Sequence, residues 1–298
     1  MKVYDCTLYH DEDLILDLRL NILSKFVDKF IICESTFSHS GRKKKLNFNV
    51  KNFPNFKDKI VYVVSDDEPE GLLFDKNFDN KKEHPEHYRH NAIKRIAHQR
   101  NKLFKGLEEA DDNDFILYSD NDEIPNLDNF NFTNFNKKYV LFEQKLFYYK
   151  LNLFLNRISW FGTKGCRKKY LKTFEKLRQI KPKKYPFYRL DTIFKFDKQI
   201  SLEIINDGGW HFTRLQTAEE IHSKELDAEH HDEYRISGKN VEKIKQLIKN
   251  KKIDHDHLAD TKDFKYGNEF NLDTLPLEKL PKYIQENKEK YNEWFDYS

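Results

Sequence analysis

Three acidic side chains follow a short apolar segment near the middle of the 298-residue sequence. Residues 115–118 read as a buried strand, and Asp120, Asp122 and Glu123 come directly after it. Residues 108–128 contain nine Asp and Glu and no Lys or Arg. Carboxylates this close repel one another, and a cation relieves that repulsion. In an extended segment Asp120 and Asp122 point to one face, so the pair predicts a Mn²⁺ or Mg²⁺ site. An acidic turn without a ligand is the alternative.

An arginine lies within the apolar stripe of the helix predicted for residues 90–110. The apolar members of that stripe are Ile93, Ala97, Phe104 and Leu107. Arg100 shares their spacing, and a buried guanidinium needs an anionic partner. That partner is either a carboxylate of the chain or a bound diphosphate, which arginine binds with two parallel hydrogen bonds. The neighbouring Gln99 and Asn101 could add further hydrogen bonds.

A pair of glycines marks a third candidate, in the segment 206–212 (NDGGWHF). Gly208 and Gly209 allow a sharp turn or a close approach of the backbone to a ligand. Trp210 offers a flat apolar face for a sugar ring, and His211 is a common metal ligand. A tight turn followed by a core strand is the alternative.

Strand and helix signals alternate around these candidates in the first half of the chain. Apolar runs predict strands at residues 2–9, 30–33, 60–64 and 115–118. A helix is predicted after the acidic residues 11–13, because residues 14, 18, 22 and 26 are apolar at helical spacing. Strands separated by helices predict an α/β fold, with a mostly parallel central sheet flanked by helices.

The second half of the chain is less regular. Residues 139–155 suit one long strand or a hairpin. Residues 164–184 hold ten Lys and Arg and one acid, Glu175. This basic segment is either a solvated helix and loop or a loop that faces an anion.

Composition and charge restrict the class of protein. The aromatic fraction of 15% is too high for a disordered chain. A net charge of +3 argues against a dedicated nucleic-acid binder. The three cysteines, Cys6, Cys33 and Cys166, form no CxxC pair and indicate a reducing compartment. No signal peptide or membrane span is visible in the sequence.

Taken together, these segments resemble glycosyltransferase family 17, typified by the β-1,4-N-acetylglucosaminyltransferase that adds the bisecting residue to N-glycans. The resemblance spans nearly the whole chain, and its pieces occur in the family order. The matching pieces are residues 3–6, 12–21 (EDLILDLRLN), 32–35, 38–41, 99–101 (QRN), 119–125 (SDNDEIP), 160–163, 208–212 (GGWHF), 231–234 and 280–283. The basic segment 164–184 finds little to match.

This resemblance implies a GT-A-like fold in a single catalytic domain, residues 1–298. Residues 1–125 would form the nucleotide-sugar-binding half, and residues 126–298 the acceptor-binding half with the C-terminal helices. The implied partners are a nucleotide-sugar donor, UDP-N-acetylglucosamine, and a glycan acceptor, with Mn²⁺ or Mg²⁺ as cofactor and inversion at the anomeric carbon. Animal members carry an N-terminal membrane segment. This sequence starts directly at the catalytic region, so we expect a soluble cytoplasmic enzyme.

The resemblance and the residue types together assign roles to the candidate residues. The expected metal ligands are Asp120, Asp122 and His211. The expected donor-binding residues are Glu34, Ser35, Arg100, Asn101 and Asp120. The expected acceptor-binding residues are Gly209, Trp210 and Trp160. Inversion requires a base that takes the acceptor proton. Asp207 is the first candidate for this base, and Glu143, Glu123 and Glu233 compete with it.

Two functions of other classes remain as alternatives. Phosphatases of the haloacid dehalogenase type also place Asp-x-Asp after an apolar strand, but they prefer Thr or Val where Ile124 stands. The basic cluster at residues 42–45 motivates the second alternative, a non-catalytic module that binds carbohydrate or RNA.

Overall fold

The chain folds into two main sheets with helices packed against them. The computed structural model describes residues 1–74, 85–258 and 266–298. The strands are β1 (Val3–Tyr9), β2 (Lys29–Ser35), β3 (Ile60–Ser65), β4 (Phe115–Tyr118), β5 (Glu123–Pro125), β6 (Tyr139–Phe142), β7 (Gln144–Tyr148), β8 (Leu153–Trp160), β9 (Lys164–Arg167), β10 (Leu202–Ile205), β11 (Gly209–Thr213), β12 (Lys252–His255), β13 (Tyr266–Asn271) and β14 (Asp273–Thr274). The helices are α1 (Asp13–Leu23), α2 (Pro85–Lys102), α3 (Phe174–Arg178), α4 (Asp191–Phe194), α5 (Ala218–Glu225), α6 (His231–Ile236), α7 (Val241–Lys249) and α8 (Lys282–Glu286).

The central sheet has seven strands in the order β10-β6-β9-β4-β1-β2-β3. Neighbouring strands are parallel except where β9 runs against β4 and β6. This confirms the predicted mixed α/β class and the mostly parallel sheet. Cys6 on β1 aligns with Ile31 on β2 and with Tyr118 on β4. The carboxyl ends of these three strands therefore lie at one edge of the sheet.

A second sheet of five strands, in the order β14-β8-β7-β11-β5, was not predicted. The hairpin predicted within residues 139–155 is confirmed in part, because β7 and β8 pair antiparallel in the second sheet. Strand β6, at the start of this segment, joins the central sheet instead. Strands β6, β9 and β10, which follow residue 125, complete the central sheet. Strand β5, which precedes residue 126, lies at the edge of the second sheet. The acidic turn between β4 and β5 therefore connects the two sheets.

Both faces of the central sheet are covered. Along β2, Phe30 and Ile32 pack into one core cluster, and Ile31 and Cys33 pack into another. This alternation follows the two-residue period of a strand. It explains the continuous apolar run at residues 30–33, since side chains on both faces are buried.

The prediction of which face of α2 is buried is wrong. Ile93 is 46% exposed, whereas Ala92, Ile96 and Gln99 are buried. Helix α2 ends at Lys102, and a 3₁₀ turn covers Leu103–Leu107. A 3₁₀ turn has three residues per turn, so one helical period cannot run from residue 93 to residue 107.

The three cysteines are buried and free. In the described parts of the chain, no helix is long and apolar enough to cross a membrane.

Candidate active site

A buried arginine fixes the acidic turn. Arg19 lies on the buried face of α1, is 0% exposed, and donates to both carboxylate oxygens of Asp5 at 2.6 and 2.7 Å. It also donates to Ser119 Oγ at 2.7 Å. Its remaining hydrogen bonds go to backbone carbonyls of the turn, those of Asp120, Asn121 and Glu123. One guanidinium thus holds the turn against β1.

Two further arginines neutralise the first acid of the motif. Arg178 on α3 donates to Asp120 Oδ2 at 2.9 Å, and Arg100 Nη2 lies 3.8 Å from Asp120 Oδ1. Burial opposes ionisation of Asp120, but the two guanidinium charges outweigh it and lower its pKa to about 2. The negative charge of Asp120 is therefore already balanced by two arginines of the protein.

Arg100 has a carboxylate partner within the chain. It donates to Glu175 Oε2 and to the Tyr118 hydroxyl, each at 2.7 Å. Glu175 and Arg178 both lie on α3, in the basic segment 164–184. This segment therefore contributes one acid and one base to the site. Arg100 also lines the cleft described below.

Glu123 is a structural carboxylate. It is 1% exposed and accepts hydrogen bonds from Trp160 Nε1 at 2.6 Å and from the backbone N–H of Asp120 at 2.9 Å. Arg178 lies 3.0 Å from its Oε1. A Cβ at Gly162 would lie 2.3 Å from the Glu123 carboxyl carbon, so this glycine permits the close packing. Glu123 has no free face on which to take an acceptor proton.

The second acid of the motif pairs with a histidine. His211 Nε2 lies 3.2 Å from Asp122 Oδ2, because β11 pairs with β5 and places His211 opposite Glu123. Burial favours the neutral imidazole, but the Asp122 charge outweighs burial and raises the pKa of His211. His211 is 8% exposed, and its Nδ1 has no hydrogen-bond partner in the structure.

The donor set around Asp122 fits a hard divalent ion that is only partly coordinated by protein. Asp122 offers carboxylate oxygens and His211 offers a ring nitrogen, whereas Asp120 is shared with Arg178. Within the described ranges, no group of three or more His, Cys, Asp or Glu side chains forms a preassembled metal site. Ions such as Mg²⁺ commonly take one or two carboxylates and complete their shell with phosphate and water.

A cleft of about 260 Å³ opens at the carboxyl ends of β1 and β2, beside the acidic turn. In an open α/β sheet this edge is where ligands bind. Its cations are Lys44, Arg100 and Lys224, and its carboxylates are Glu12, Asp120, Asp122, Asp227 and Glu229. Tyr9 and Phe37 contribute aromatic surface. The arrangement can hold an aromatic ring next to an anionic group.

The cleft includes some of the expected donor-binding residues and leaves others out. Ser35 and Arg100 line it, and Gln99 lines it where Asn101 was expected. Asn101 is exposed and is not part of the lining. Glu34 is 0% exposed and accepts hydrogen bonds from Lys44, Asn47, Phe48 and Tyr62. It anchors the loop that carries Lys44, which is a structural role.

The two leading candidates for the base lie elsewhere. Asp207 and Glu143 line a different cleft of about 390 Å³, which shares no lining residue with the first. The Asp207 side chain is 82% exposed, and its hydrogen bond and ion pair with Lys145 lower its pKa. Glu233, a competitor, is 8% exposed and pairs with Arg89 at 2.7 Å.

The expected acceptor residues are also separated. Trp210 and His211 are neighbours on β11, so their side chains point to opposite faces of the sheet. Trp210 Nε1 donates to the Lys279 carbonyl and lines a depression with Tyr283. Gly209 has φ +137°, and a Cβ there would lie 2.2 Å from the Ile124 carbonyl oxygen. The ring of Trp160 lies 4.9 Å from that of His211. Of these three residues, Trp160 alone contacts the acidic turn.

Sequence reasoning missed Arg19, Arg178 and Lys224. Arg19 carried a signal, since it lies four residues from both Ile15 and Leu23 on one helix face. Lys224 on α5 pairs with Glu12 at 2.5 Å and lines the cleft. No local pattern marks Lys224, because its partner lies 212 residues away.

Comparison with models of protein families gives a match over nearly the whole chain. A search among curated proteins finds no match. The sequence model described as Glycosyltransferase family 17 matches residues 1–295, which is essentially the whole chain. This match supports neither the phosphatase nor the non-catalytic binding module. A glycosyltransferase requires a sugar donor and an acceptor, and the cleft beside the acidic turn is the candidate place for the donor. The chain belongs to glycosyltransferase family 17.

Proposed function

We propose that this glycosyltransferase is metal-dependent and inverting, and that it moves N-acetylglucosamine from UDP-N-acetylglucosamine to a glycan acceptor. The observation that carries the proposal is the cleft at the strand ends, where Asp120 and Asp122 face a set of cations. A nucleotide diphosphate needs an apolar surface for its base and positive charge for its phosphates. The cleft offers both, which supports the proposal of a GT-A-like donor site.

The donor would lie between the aromatic wall and the cations. Tyr9 and Phe37 provide surface for the uracil ring, and Lys44 and Lys224 provide charge for the diphosphate. The Lys224 ammonium outweighs the effect of burial and lowers the pKa of Glu12 to about 2. Glu12 therefore stays ionised and orients Lys224 at the cleft.

Asp122 and His211 would hold Mn²⁺ or Mg²⁺. When bound, the ion supplies Lewis-acid stabilisation of the charge on the leaving diphosphate. Arg178 does not compete for Asp122, because it pairs with Asp120 and Glu123 instead. The partner of Asp122 is His211, which would be the second ligand of the ion. Arg19 fixes the backbone of the turn, so both carboxylates keep their positions relative to the cleft.

Among the carboxylates that line the cleft, Glu229 is the best candidate for the general base. Each of the others has a strong partner: Glu12 has Lys224, Asp120 has Arg178, Asp122 has His211 and Asp227 has Arg42. Glu229 is 36% exposed and lies 4.0 Å from His230. No Lys or Arg of the described chain forms an ion pair with Glu229. Glu229 would take the proton of the acceptor hydroxyl while that oxygen bonds to the anomeric carbon and UDP leaves with the bonding electron pair.

We propose that the reaction takes place in the cytoplasm, because three cysteines without a CxxC pair favour a reducing compartment.

The function is tested by replacing Asp122. We expect wild-type protein to gain thermal stability with UDP plus Mn²⁺ and to release UDP from UDP-N-acetylglucosamine. Asp122→Asn should lower turnover by ~10²-fold or more, because it weakens the binding of the ion that would stabilise the charge on the leaving diphosphate. Asp207→Asn is the matched control in the other cleft and should keep both properties. Full activity of Asp122→Asn in EDTA-treated buffer would refute the metal role.

The base is tested by a second pair of variants. Glu229→Gln should lower kcat by ~10²-fold or more with little change in donor KM. Asp207→Asn should leave kcat unchanged. The opposite result would return the role to Asp207.

A further inference from the structure

A loop between α3 and β10 presents a large apolar surface to solvent. Its exposed apolar side chains are Phe187 (84%), Tyr188 (68%), Leu190 (72%), Ile193 (73%) and Phe194 (85%). We call these five side chains the apolar tip. Single exposed apolar residues are ordinary, but a contiguous group of large ones marks a contact surface.

The base of this loop is tied to the body of the protein. The backbone N–H of Lys181 donates to the Asp197 carbonyl at 2.8 Å, which closes the loop. Tyr185 is 8% exposed, and the ring of Phe196 lies 6.0 Å from that of Tyr139 on β6. The apolar tip therefore projects from a loop whose two ends are attached to the body of the protein.

The acidic side chains of the loop are paired, whereas three of its lysines are not. Its two acids are neutralised within the loop: Asp191 pairs with Arg189 and Lys198, and Asp197 pairs with Lys181. Lys183, Lys184 and Lys195 are exposed. None of these three has a carboxylate partner in the described part of the chain. The apolar tip is thus bordered by uncompensated positive charge.

We propose that the apolar tip docks on the surface of an anionic lipid membrane. Aromatic and aliphatic side chains enter the boundary between headgroups and acyl chains, while lysines beside them attract anionic headgroups. Charge complementarity favours this occupant over a second copy of the chain. A symmetric contact through the tip would bring the same uncompensated lysines of two copies together. The inference is independent of which sugar is transferred.

Vesicle co-sedimentation of the full chain tests the docking. We expect binding to vesicles of phosphatidylcholine with phosphatidylglycerol, weak binding to phosphatidylcholine alone, and loss of binding at high salt. The double variant Phe187→Ser, Phe194→Ser should lower the partition coefficient at least about tenfold. Lys183→Glu with Lys184→Glu should lower it by a similar factor. Phe74→Ser, which removes a 70% exposed ring elsewhere, is the matched control and should bind as wild type.

A fluorescent variant reports on insertion directly. Phe194→Trp places an indole on the tip, and its emission should shift to the blue with anionic vesicles. Wild-type protein that stays in the supernatant, or tip variants that bind as well as wild type, would overturn the proposal. A dimer in light scattering that the Phe187 and Phe194 changes dissolve, without vesicle binding, would assign the tip to a second copy instead. Unchanged unfolding curves of the variants would show that the tip changes leave the fold intact.

Discussion

Two arginine–aspartate pairs flank the cleft, and they differ in their access to water. Arg19 and Asp5 are both 0% exposed and lie beneath the acidic turn. Arg42 is 68% exposed, whereas its partner Asp227, which lines the cleft at the α5–α6 connection, is 8% exposed. The ionic groups are the same in both pairs. Any difference in their contribution therefore comes from their surroundings.

This difference in solvent access determines how strongly each pair should resist the loss of one partner. Removing one partner of a buried pair leaves a charge with no water to solvate it. Removing one partner of an exposed pair lets water replace it. The turn that carries Asp120 and Asp122 is thus held by a pair that water does not reach, whereas the pair at the rim is open to water on its Arg42 side.

The largest effect is expected from breaking the buried pair. Arg19→Met should lower the free energy of unfolding by about 3–5 kcal/mol, since Asp5 then stays buried without a counter-charge. The turn also loses three hydrogen bonds to its carbonyls. Urea denaturation measures the loss.

The control for this variant removes both charges. Arg19→Met combined with Asp5→Leu should recover part of the lost stability, because no uncompensated carboxylate remains. Its transferase activity should stay low, because the turn is still unsupported. A loss below about 1 kcal/mol for Arg19→Met would contradict the interpretation that this buried pair holds the turn.

A buried lysine near the acidic turn makes the stability of this region depend on pH. Lys164 on β9 is 5% exposed and donates to the carbonyls of Arg178 and Ile180. Burial, helped by the nearby Arg178 charge, lowers its pKa from 10.5 to about 7. Between these values the unfolded chain holds a proton at Lys164 that the folded chain lacks, so the contribution of Lys164 to stability should rise with pH across this window.

The size of this effect follows from one proton. Relative to Lys164→Met, the wild-type protein should gain roughly 2 kcal/mol of stability between about pH 8 and about pH 9.5, at about 1.4 kcal/mol per pH unit. Burial raises the pKa of the three thiols, which lowers stability with pH equally in both proteins. Urea denaturation at several pH values therefore measures the difference between the two slopes. A slope that is the same in both proteins would show that Lys164 stays charged in the fold.

Strands β1 to β4 of the central sheet could be predicted because their signal is local. Apolar residues run without a break through most of β2, β3 and β4, and in β1 they are interrupted by Asp5 and Thr7. Strands β9 and β10 of the same sheet were not predicted, and β9 lies in the basic segment that was expected to be a helix and loop or a loop. The second sheet has no such signal. Strand β8 alternates irregularly between buried and exposed positions, and β5 has only three residues. Residues 139–155 look like one element because only the tertiary structure shows that β6 and β7 enter different sheets.

The acidic motif could be predicted from sequence for the same reason, since Asp120 and Asp122 directly follow a recognisable strand. Asp207 and Trp210 were chosen because they adjoin the glycine pair and His211. Neighbours on a strand face opposite sides, however, and this separates Trp210 from the cleft. Arg178 and Lys224 reach the site from distant segments, so no spacing in the sequence relates them to Asp120 or Glu12.

The smallest effect is expected from the pair at the rim. Arg42→Gln should lower the free energy of unfolding by about 1 kcal/mol, less than Arg19→Met, because Arg42 is open to water and Ser40 Oγ still donates to the buried Asp227 carboxylate at 2.9 Å. Because Asp227 lines the cleft proposed for the donor, this variant should change KM for UDP-N-acetylglucosamine and leave kcat unaltered. Steady-state kinetics and urea denaturation on one preparation separate the two quantities. A stability loss as large as that of Arg19→Met would show that water does not replace either arginine, and the contrast between the two pairs would disappear.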